Sequence, residues 1–305
     1  MILVTGGSGR LGNNITKYLL EHNLEVHFTF NTYPCNIRGA PSHRLDATKK
    51  EETMKLIRKL RPEIVIHTIA VTDLELCETN RELAYRVNVD ATKNIINTCE
   101  ETQSKIVFIS TSNLFDGNKE IYYEDDPPNP PNYYAFTKLI GENMLKASRL
   151  PFLILRTDQL YFWSFRDEKK TFVEIVLEKL KKHAPFEVFS DWYNTPTLIP
   201  DFSRVVYELI LKNKPGVYHV VGPDYVSRYE WALRIADVFG YDKTLIQPTT
   251  SKKAQIKAKR SNAHLSNTKV IKELGNTILG VMEGLNFMKV EMSNVGRRED
   301  KEPPD

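Results

Sequence analysis

Residues 2–12, ILVTGGSGRLG, set a short apolar run directly before a glycine-rich turn that opens a helical pattern. A turn this tight needs residues that tolerate positive φ, and a pyrophosphate can approach a backbone only where side chains are absent. The first N–H groups of the following helix then offer partial positive charge to phosphates. The alternative is a tight strand–helix turn without a ligand. We predict a dinucleotide phosphate site with contacts from Gly6, Gly9, Arg10, Leu11 and Gly12.

The first half of the chain repeats the order strand, helix, strand. Strand patterns cover residues 2–5, 26–30, 63–70, 105–110 and 152–156, and helical patterns cover 13–22, 51–60 and 82–99. This alternation predicts a parallel sheet with helices on both faces, the doubly wound Rossmann type of α/β fold.

After residue 157 this rhythm loosens. We expect a helix at 171–182, a loop at 191–202, one more sheet strand at 216–222 and a helix at 229–239. Residues 1–157 and about 200–222 are expected to form an NAD(P)-binding Rossmann domain. A smaller, interleaved substrate-binding lobe is expected from about 158–199 and 223–290. Residues 291–305 lack an apolar anchor and are expected to be a disordered tail.

Composition narrows the classes of partner. The formal net charge of +3 is spread along 305 residues, which argues against a nucleic-acid partner. Cys35, Cys77 and Cys99 form no CxxC pair and have no histidine at metal spacing, so we expect a reduced compartment and no bound metal. The opening MILVTGG is too short for a signal peptide or a membrane span, and no later apolar run is long enough. We therefore expect a soluble, cytoplasmic protein without a membrane partner.

Three positions outside the glycine-rich turn concern the cofactor. The second strand ends in Phe-Asn-Thr, with Asn31 where an NAD enzyme carries an acid for the ribose 2′-OH. The missing carboxylate favours NADP(H) over NAD(H), and Arg38 could bind a 2′-phosphate or simply be a surface loop residue. Asp46, which closes the third strand, could accept a hydrogen bond from the adenine amine or could cap the next helix.

Residues 131–142, PNYYAFTKLIGE, place Tyr134 and Lys138 one helical turn apart. A tyrosine can donate a proton to a developing alkoxide if its pKa, near 10 in water, is lowered. A lysine ammonium one turn away favours the phenolate and lowers that pKa, whereas Tyr133 points elsewhere. Spacing alone favours the alternative, an exposed tyrosine beside a Lys138–Glu142 ion pair.

Residues 109–117, ISTSNLFDG, put hydroxyl groups at the end of an apolar strand. Ligands of open α/β sheets bind at the carboxyl ends of the strands. Thr111 and Ser112 are therefore candidates to hold a substrate carbonyl and share its proton with Tyr134. A cap between the strand and the following turn is the alternative.

These motifs together resemble the extended short-chain dehydrogenase/reductase family. The phosphate turn TGGSGRLG, the STS cluster after KIVFI and the YAFTK segment occur in that family's order and at its separations. Within it, the chain is most similar to dTDP-4-dehydrorhamnose reductases and their sugar-nucleotide relatives, over residues 1 to about 287. Five segments carry the likeness: ISTSNLFDG parallels STDYVF-G, RTDQLY (156–161) parallels RTSWVYG, DWYNTPT (191–197) parallels DQxGxPT, GVYHVVGP (216–223) parallels GxYHxxG, and KRSNAHLSNTKV (259–270) parallels RPxxSxLxxxKL.

The resemblance assigns roles to individual residues. It implies a triad in which Thr111 orients the keto oxygen and Tyr134 is the general acid. Lys138 would bind the nicotinamide ribose and tune Tyr134. Ala70, which closes the strand expected at 63–70, would line the cofactor cleft, and Asn88 would be structural.

Departures from the family pattern fall around the substrate. Ser112 and Asn113 replace an acid and an aromatic residue, Gln159 replaces a tryptophan, and Asn194 replaces a glycine. We expect these four side chains to contact the substrate. Retained machinery with a changed pocket implies the same chemistry on a different sugar.

The resemblance implies NAD(P)H-dependent reduction of a nucleotide-activated 4-keto-6-deoxy sugar, in deoxysugar or polysaccharide biosynthesis. One alternative is a sugar-nucleotide epimerase of the same fold. Another is a cofactor-binding regulatory subunit without turnover, like the beta subunit of methionine adenosyltransferase. A dehydratase is disfavoured, because Ser112 and Asn113 stand where it needs an Asp-Glu pair. A homodimer is a possible assembly.

Overall fold

The computed structural model describes residues 1–166, 169–254 and 256–299. Its strands, in chain order, are β1 (Ile2–Thr5), β2 (Val26–Phe30), β3 (Ser42–Arg44), β4 (Ile64–His67), β5 (Lys105–Thr111), β6 (Phe152–Thr157), β7 (Leu160–Tyr161), β8 (Phe186–Phe189), β9 (Tyr193–Asn194), β10 (Thr197–Leu198), β11 (Gly216–His219), β12 (Val226–Ser227) and β13 (Ile246–Thr249).

Within the described residues, seven strands form one parallel sheet in the spatial order β11-β6-β5-β4-β1-β2-β3. The direction of winding reverses between β1 and β4. Ligands of such sheets bind at the carboxyl ends of the strands beside this reversal. The doubly wound parallel sheet predicted from the sequence is confirmed.

Helices cover both faces of this sheet. They are α1 (Arg10–Glu21), α2 (Lys50–Leu60), α3 (Leu74–Thr79), α4 (Arg81–Tyr85), α5 (Ala91–Thr102), α6 (Tyr133–Ala147), α7 (Phe172–Leu180), α8 (Ile199–Leu211), α9 (Arg228–Phe239), α10 (Thr268–Leu274) and α11 (Val281–Glu299). Alternate β1 residues face opposite sides of the sheet. Ile2 and Val4 join a core with α1 and α8, whereas Leu3 joins a core with α2, α5 and α6.

A separate apolar core lies among α7, α9 and α11. Its buried members include Val176 of α7, Trp231 and Ile235 of α9, and Leu285 of α11. Beside it, β8 pairs in parallel with β13. A core of its own is what a second lobe needs, and the exact division of the chain into two lobes stays a prediction.

The long helix expected at 82–99 is interrupted. A π-helical turn, Arg86–Asp90, separates α4 from α5. Such a turn adds one residue, which the helical period of the apolar residues does not reveal. Asn88 within it donates from Nδ2 to the Val71 carbonyl (3.1 Å) and to Thr137 Oγ1 (3.0 Å). This bonding ties the loop after β4 to α6 and agrees with the structural role expected for Asn88.

Two further expectations are wrong. The loop expected at 191–202 contains β9 and β10, and α8 begins at Ile199. Pro200 is compatible with this helix start, because proline fits the first turn of a helix, where its missing N–H has no partner to lose. The tail expected to be disordered from residue 291 is helical as far as Glu299, and residues 300–305 lie outside the described part. No helix in the described ranges has the length and apolar character to cross a membrane.

Candidate active site

The glycine-rich turn joins β1 to α1 as a tight cradle. Gly6 adopts a φ of +77°, and a Cβ at Gly12 would lie 2.5 Å from the Gly6 carbonyl oxygen. Gly9 is the N-cap of α1, and neither a capping side chain nor an acidic residue occupies the helix start. The first N–H groups of α1 therefore suit a phosphate, and the close backbone approach fits a pyrophosphate. Leu11 packs its side chain against the core, which leaves only its backbone for the cofactor.

Arg10 follows the cradle, and its side chain contacts residues far along the chain, between Ser164 and Glu174. Its Nη2 donates to Ser164 Oγ (2.7 Å) and to the Lys169 carbonyl (2.5 Å). The same nitrogen lies 3.8 Å from a Glu174 carboxylate oxygen. Arg10 is thus placed between the phosphate cradle and the start of α7.

The remaining cofactor candidates differ in their surroundings. Asn31 and Arg38 are exposed after β2, and Ala70 is half-buried after β4. Asp46 Oδ1 accepts hydrogen bonds from the Thr48 N–H (3.1 Å) and hydroxyl (2.7 Å). It therefore closes a turn before α2, whose N-cap is Lys49, so the alternative of a helix cap is wrong. Contact of Asp46 with adenine stays a prediction.

Thr111 and Tyr134 meet at the carboxyl edge of the sheet. Thr111 ends β5, and Tyr134 lies in the first turn of α6, which Asn132 caps by accepting from the Ala135 N–H (2.9 Å). The Thr111 side chain is close enough to the Tyr134 hydroxyl to act on the pKa of Tyr134. Thr111 Oγ1 accepts from both Asn113 nitrogens (3.2 Å each), so its own proton is left for Tyr134 or a substrate oxygen. The structure thus brings two members of the expected triad together.

Burial governs the electrostatics of the triad. Tyr134 is 9% exposed and Lys138 is 3% exposed. Burial raises the pKa of Tyr134, and the nearby Thr111 side chain acts against that rise. Burial lowers the pKa of Lys138 to about 7, and its Nζ lies 3.9 Å from the centroid of the Phe108 ring. In the protein without cofactor, burial therefore outweighs the lowering expected from Lys138, and the net shift of the Tyr134 pKa is upward.

The alternative drawn from spacing, an exposed tyrosine beside a Lys138–Glu142 ion pair, is also wrong. Tyr134 is buried, and Glu142 binds Arg156 through two hydrogen bonds, from Nε (2.9 Å) and from Nη2 (2.8 Å). Lys146 Nζ supplies a third contact to Glu142 at 3.0 Å. This buried ion pair fixes α6 against β6.

The expected substrate residues surround this edge. Ser112 and Asn194 are buried, and Asn113 and Gln159 are half-buried. Gln159 has a φ of +36°, and its carbonyl accepts from the Thr197 N–H (3.3 Å). All four positions follow β5 or β6, or lie in β9.

Asp158, absent from the expected site, sits among these residues. Its buried carboxylate accepts from the Thr195 N–H (2.8 Å) and from Asn194 Nδ2 (3.2 Å), and the Ser112 side chain is close enough to act on its pKa. Burial raises the pKa of Asp158. The signal was in the sequence: Asp158 stands at the serine of RTSWVYG, and Ser112 stands at the acid of STDYVF. Acid and hydroxyl have exchanged places between the ends of β5 and β6.

Two arginines flank the Trp192 ring beside this cluster. The guanidinium carbons of Arg228 and Arg260 lie 5.1 and 5.0 Å from the ring centroid. Burial lowers the pKa of Arg228 to about 10. Within the described residues, Arg228 Nε and Arg260 Nε and Nη1 are buried without a hydrogen-bond partner, although Arg260 Nη2 donates to Glu75 (2.8 Å). Such donors suit an anion.

A family model described as the RmlD substrate binding domain matches residues 1–289. The chain belongs to this family. Its relatives include the probable low-salt glycan biosynthesis reductase Agl14 of Haloferax volcanii, 29% identical over 80% of this chain and 82% of that protein. The methionine adenosyltransferase 2 subunit beta of Bos taurus is 27% identical over 82% of this chain and 75% of that protein.

Solved structures of similar proteins agree with the fold. A dTDP-4-dehydrorhamnose reductase of Clostridium acetobutylicum is 28% identical, with a TM-score of 0.82 over 96% of this chain and 99% of that one. The UDP-glucose 4-epimerase of Thermus thermophilus, solved with NAD, is 25% identical, with a TM-score of 0.81 over 94% and 97%. The resemblance drawn from the sequence motifs is confirmed. Among the described residues, no group of three or more His, Cys, Asp or Glu side chains could hold a metal ion.

Proposed function

We propose that the protein is an NAD(P)H-dependent reductase of a nucleotide-activated 4-keto-6-deoxy sugar, acting in deoxysugar or polysaccharide biosynthesis. The observation that carries this proposal is the placement of Thr111, at the end of β5, beside Tyr134 of α6, at the sheet edge that the phosphate cradle also faces. Relatives named as reductases support the reaction class. We also propose NADP(H) over NAD(H), because no carboxylate follows β2 at Asn31.

The triad manages the proton. Bound nicotinamide supplies the hydride. Burial keeps Tyr134 protonated at neutral pH, so its hydroxyl is ready to donate to the alkoxide that forms on the sugar. Thr111 holds the keto oxygen beside that hydroxyl with its free proton. The Lys138 ammonium then stabilises the phenolate left on Tyr134.

The polar residues around the triad would hold the rest of the substrate. Arg228 and Arg260 carry buried N–H groups that fit the phosphates of a nucleotide, with the Trp192 ring between them. Asn194, which donates to Asp158, and Ser112, which lies beside Asp158, would select the sugar hydroxyls.

Turnover of reduced cofactor tests the proposal. NADPH or NADH is mixed with a panel of nucleotide-linked 4-keto sugars, and its absorbance is followed. We expect Tyr134→Phe to lower kcat by about 10²- to 10⁴-fold, the usual contribution of a general acid. The neighbouring Tyr133→Phe is the matched control and should retain activity. Equal rates for the two variants would contradict the assignment of Tyr134.

The similarity to a methionine adenosyltransferase subunit supports a second candidate, a cofactor-binding subunit without turnover. Tight binding of the cofactor, without loss of NADPH or NADH in the presence of any sugar on the panel, would favour this second candidate. An epimerase of the same fold would instead convert one sugar nucleotide into its isomer without net loss of NADPH.

A further inference from the structure

Arg166 lies in the segment between β7 and α7, and its side chain contacts the segment that follows β2 of the parallel sheet. Its guanidinium carbon lies 5.3 Å from the centroid of the Tyr33 ring and 5.5 Å from that of the Phe165 ring. Lys17 Nζ of α1 lies 5.8 Å from the same Phe165 centroid. Two positive charges from distant parts of the chain thus converge around one aromatic ring.

This cluster lies at the carboxyl end of β2. Tyr33 is three residues beyond Phe30, the last residue of β2. Thr29 Oγ1, near that end, accepts from the Gly6 N–H of the phosphate cradle (3.1 Å). In doubly wound sheets the adenosine ribose of a dinucleotide lies at this strand end. The cluster therefore lies where it could contact the adenosine ribose and a substituent on its 2′ oxygen.

The Cys35 thiol also lies near both cations. Burial raises the pKa of its thiol, and the positive charges of Arg166 and Lys17 act against that rise. Both cations are therefore close enough to act on the segment that follows β2.

Arg166 also has bonding capacity to spare. Its Nη1 is buried and has no hydrogen-bond partner within the described ranges. A buried N–H of a charged group is costly when unpaired, and a phosphate oxygen is a strong acceptor for it. Arg38, the candidate drawn from the sequence, is exposed in the loop after β2.

We propose that Arg166, assisted by Lys17, binds a phosphomonoester on the adenosine ribose, the 2′-phosphate of NADP(H). The second lobe, not the Arg38 loop, then selects the cofactor. This inference rests on the cofactor site of the proposed function and deepens it, because it assigns a residue for the preference.

Nucleotide fragments test the site without turnover. The dissociation constants of adenosine 2′,5′-bisphosphate and of AMP are measured by calorimetry, and their ratio reports on the 2′-phosphate alone. We expect wild type to prefer the bisphosphate, and Arg166→Met to reduce that preference by about 10- to 100-fold, the effect of one lost charged hydrogen bond. AMP affinity should stay unchanged, since the methionine keeps the apolar stem. Lys17→Met should reduce the preference by a smaller factor.

Two variants sharpen the test. Arg166→Lys keeps the charge and should restore part of the preference, which excludes misfolding as the cause. Arg38→Met should leave the ratio unchanged. The inference is overturned if wild type binds both fragments equally, if Arg166→Met weakens both alike, or if Arg38→Met abolishes the preference. Sugar reduction with NADH as readily as with NADPH would overturn this inference alone, whereas failure of the proposed function would show as no turnover with either cofactor.

Discussion

Lys138 places a charge where the protein interior disfavours it. Burial lowers its pKa from 10.5 to about 7. At pH values below 7 the lysine is protonated in both the folded and the unfolded chain, so the folded state carries the whole burial penalty. At higher pH the folded chain releases a proton that the unfolded chain keeps until about pH 10, so the free energy of unfolding rises. The residue proposed to serve catalysis therefore destabilises the protein under acidic conditions.

Lys138→Met should remove this penalty. We expect the variant to melt at a higher temperature than wild type at about pH 6, with a smaller difference at about pH 9. The gain is bounded by about 5 kcal/mol, at about 1.4 kcal/mol per pH unit of pKa change. Thermal unfolding of both proteins at the two pH values measures it. Lys146→Met, on the same helix but partly exposed, is the control and should shift melting equally at both. A Lys138→Met effect that ignores pH would contradict the lowered pKa.

At the scale of elements, the ends of β5 and β6 act as one unit. Asp158, just beyond β6, accepts from the backbone of Thr195 and the amide of Asn194, and the Ser112 side chain, just beyond β5, is close enough to act on its pKa. The carboxylate thus connects two sheet strands to the segment containing β9. Its removal leaves buried donors without an acceptor, and a second carboxylate beside it places like charges together.

A double-mutant cycle should expose this coupling. Asp158→Ser alone is expected to cost about 1–3 kcal/mol, because the Thr195 N–H and the Asn194 amide lose their acceptor. Ser112→Asp alone buries a second carboxylate. The double variant keeps one acid and one hydroxyl, so it should be more stable than the two single effects predict, by about 1–3 kcal/mol. Urea unfolding of the four proteins gives the coupling, and strictly additive effects would show that the two strand ends are independent.

Features formed by residues that are close together in the sequence could be predicted at the scale of elements. β1 and the glycine turn are contiguous, and Tyr134 and Lys138 are separated by one helical turn, so local patterns identify them. The π-helical turn could not be predicted from the sequence, because a single inserted residue leaves the spacing of the apolar residues almost unchanged. The buried state of Asp158 escaped because it depends on donors 36 and 37 positions later in the chain.

At the scale of the whole molecule, α1 and the start of α7 are connected by contacts that no local sequence pattern predicts. Arg10 and Ser164 are 154 positions apart. Glu174 joins them, because it accepts from the Ser164 N–H (2.8 Å) and closes a capping box with Thr171 at the start of α7. Tertiary packing decides which distant segments contact each other. Sequence periodicity could therefore predict the sheet but not the contacts among Arg10, Ser164 and Glu174, which form this bridge.

The bridge should transmit cofactor binding from the cradle to the second lobe. A phosphate at the start of α1 restrains the adjoining Arg10, and through it Ser164 and Glu174. We therefore expect NADPH to slow amide hydrogen exchange at the start of α7 as well as in α1. The double variant Ser164→Ala, Glu174→Gln removes the hydroxyl acceptor and the negative charge, while glutamine still permits the capping box. In this variant NADPH should protect α1 but no longer α7. Unchanged protection of α7 would mean that it does not depend on the contacts of Arg10 with Ser164 and Glu174, and that other contacts, such as the bond from Arg10 to the Lys169 carbonyl, are sufficient.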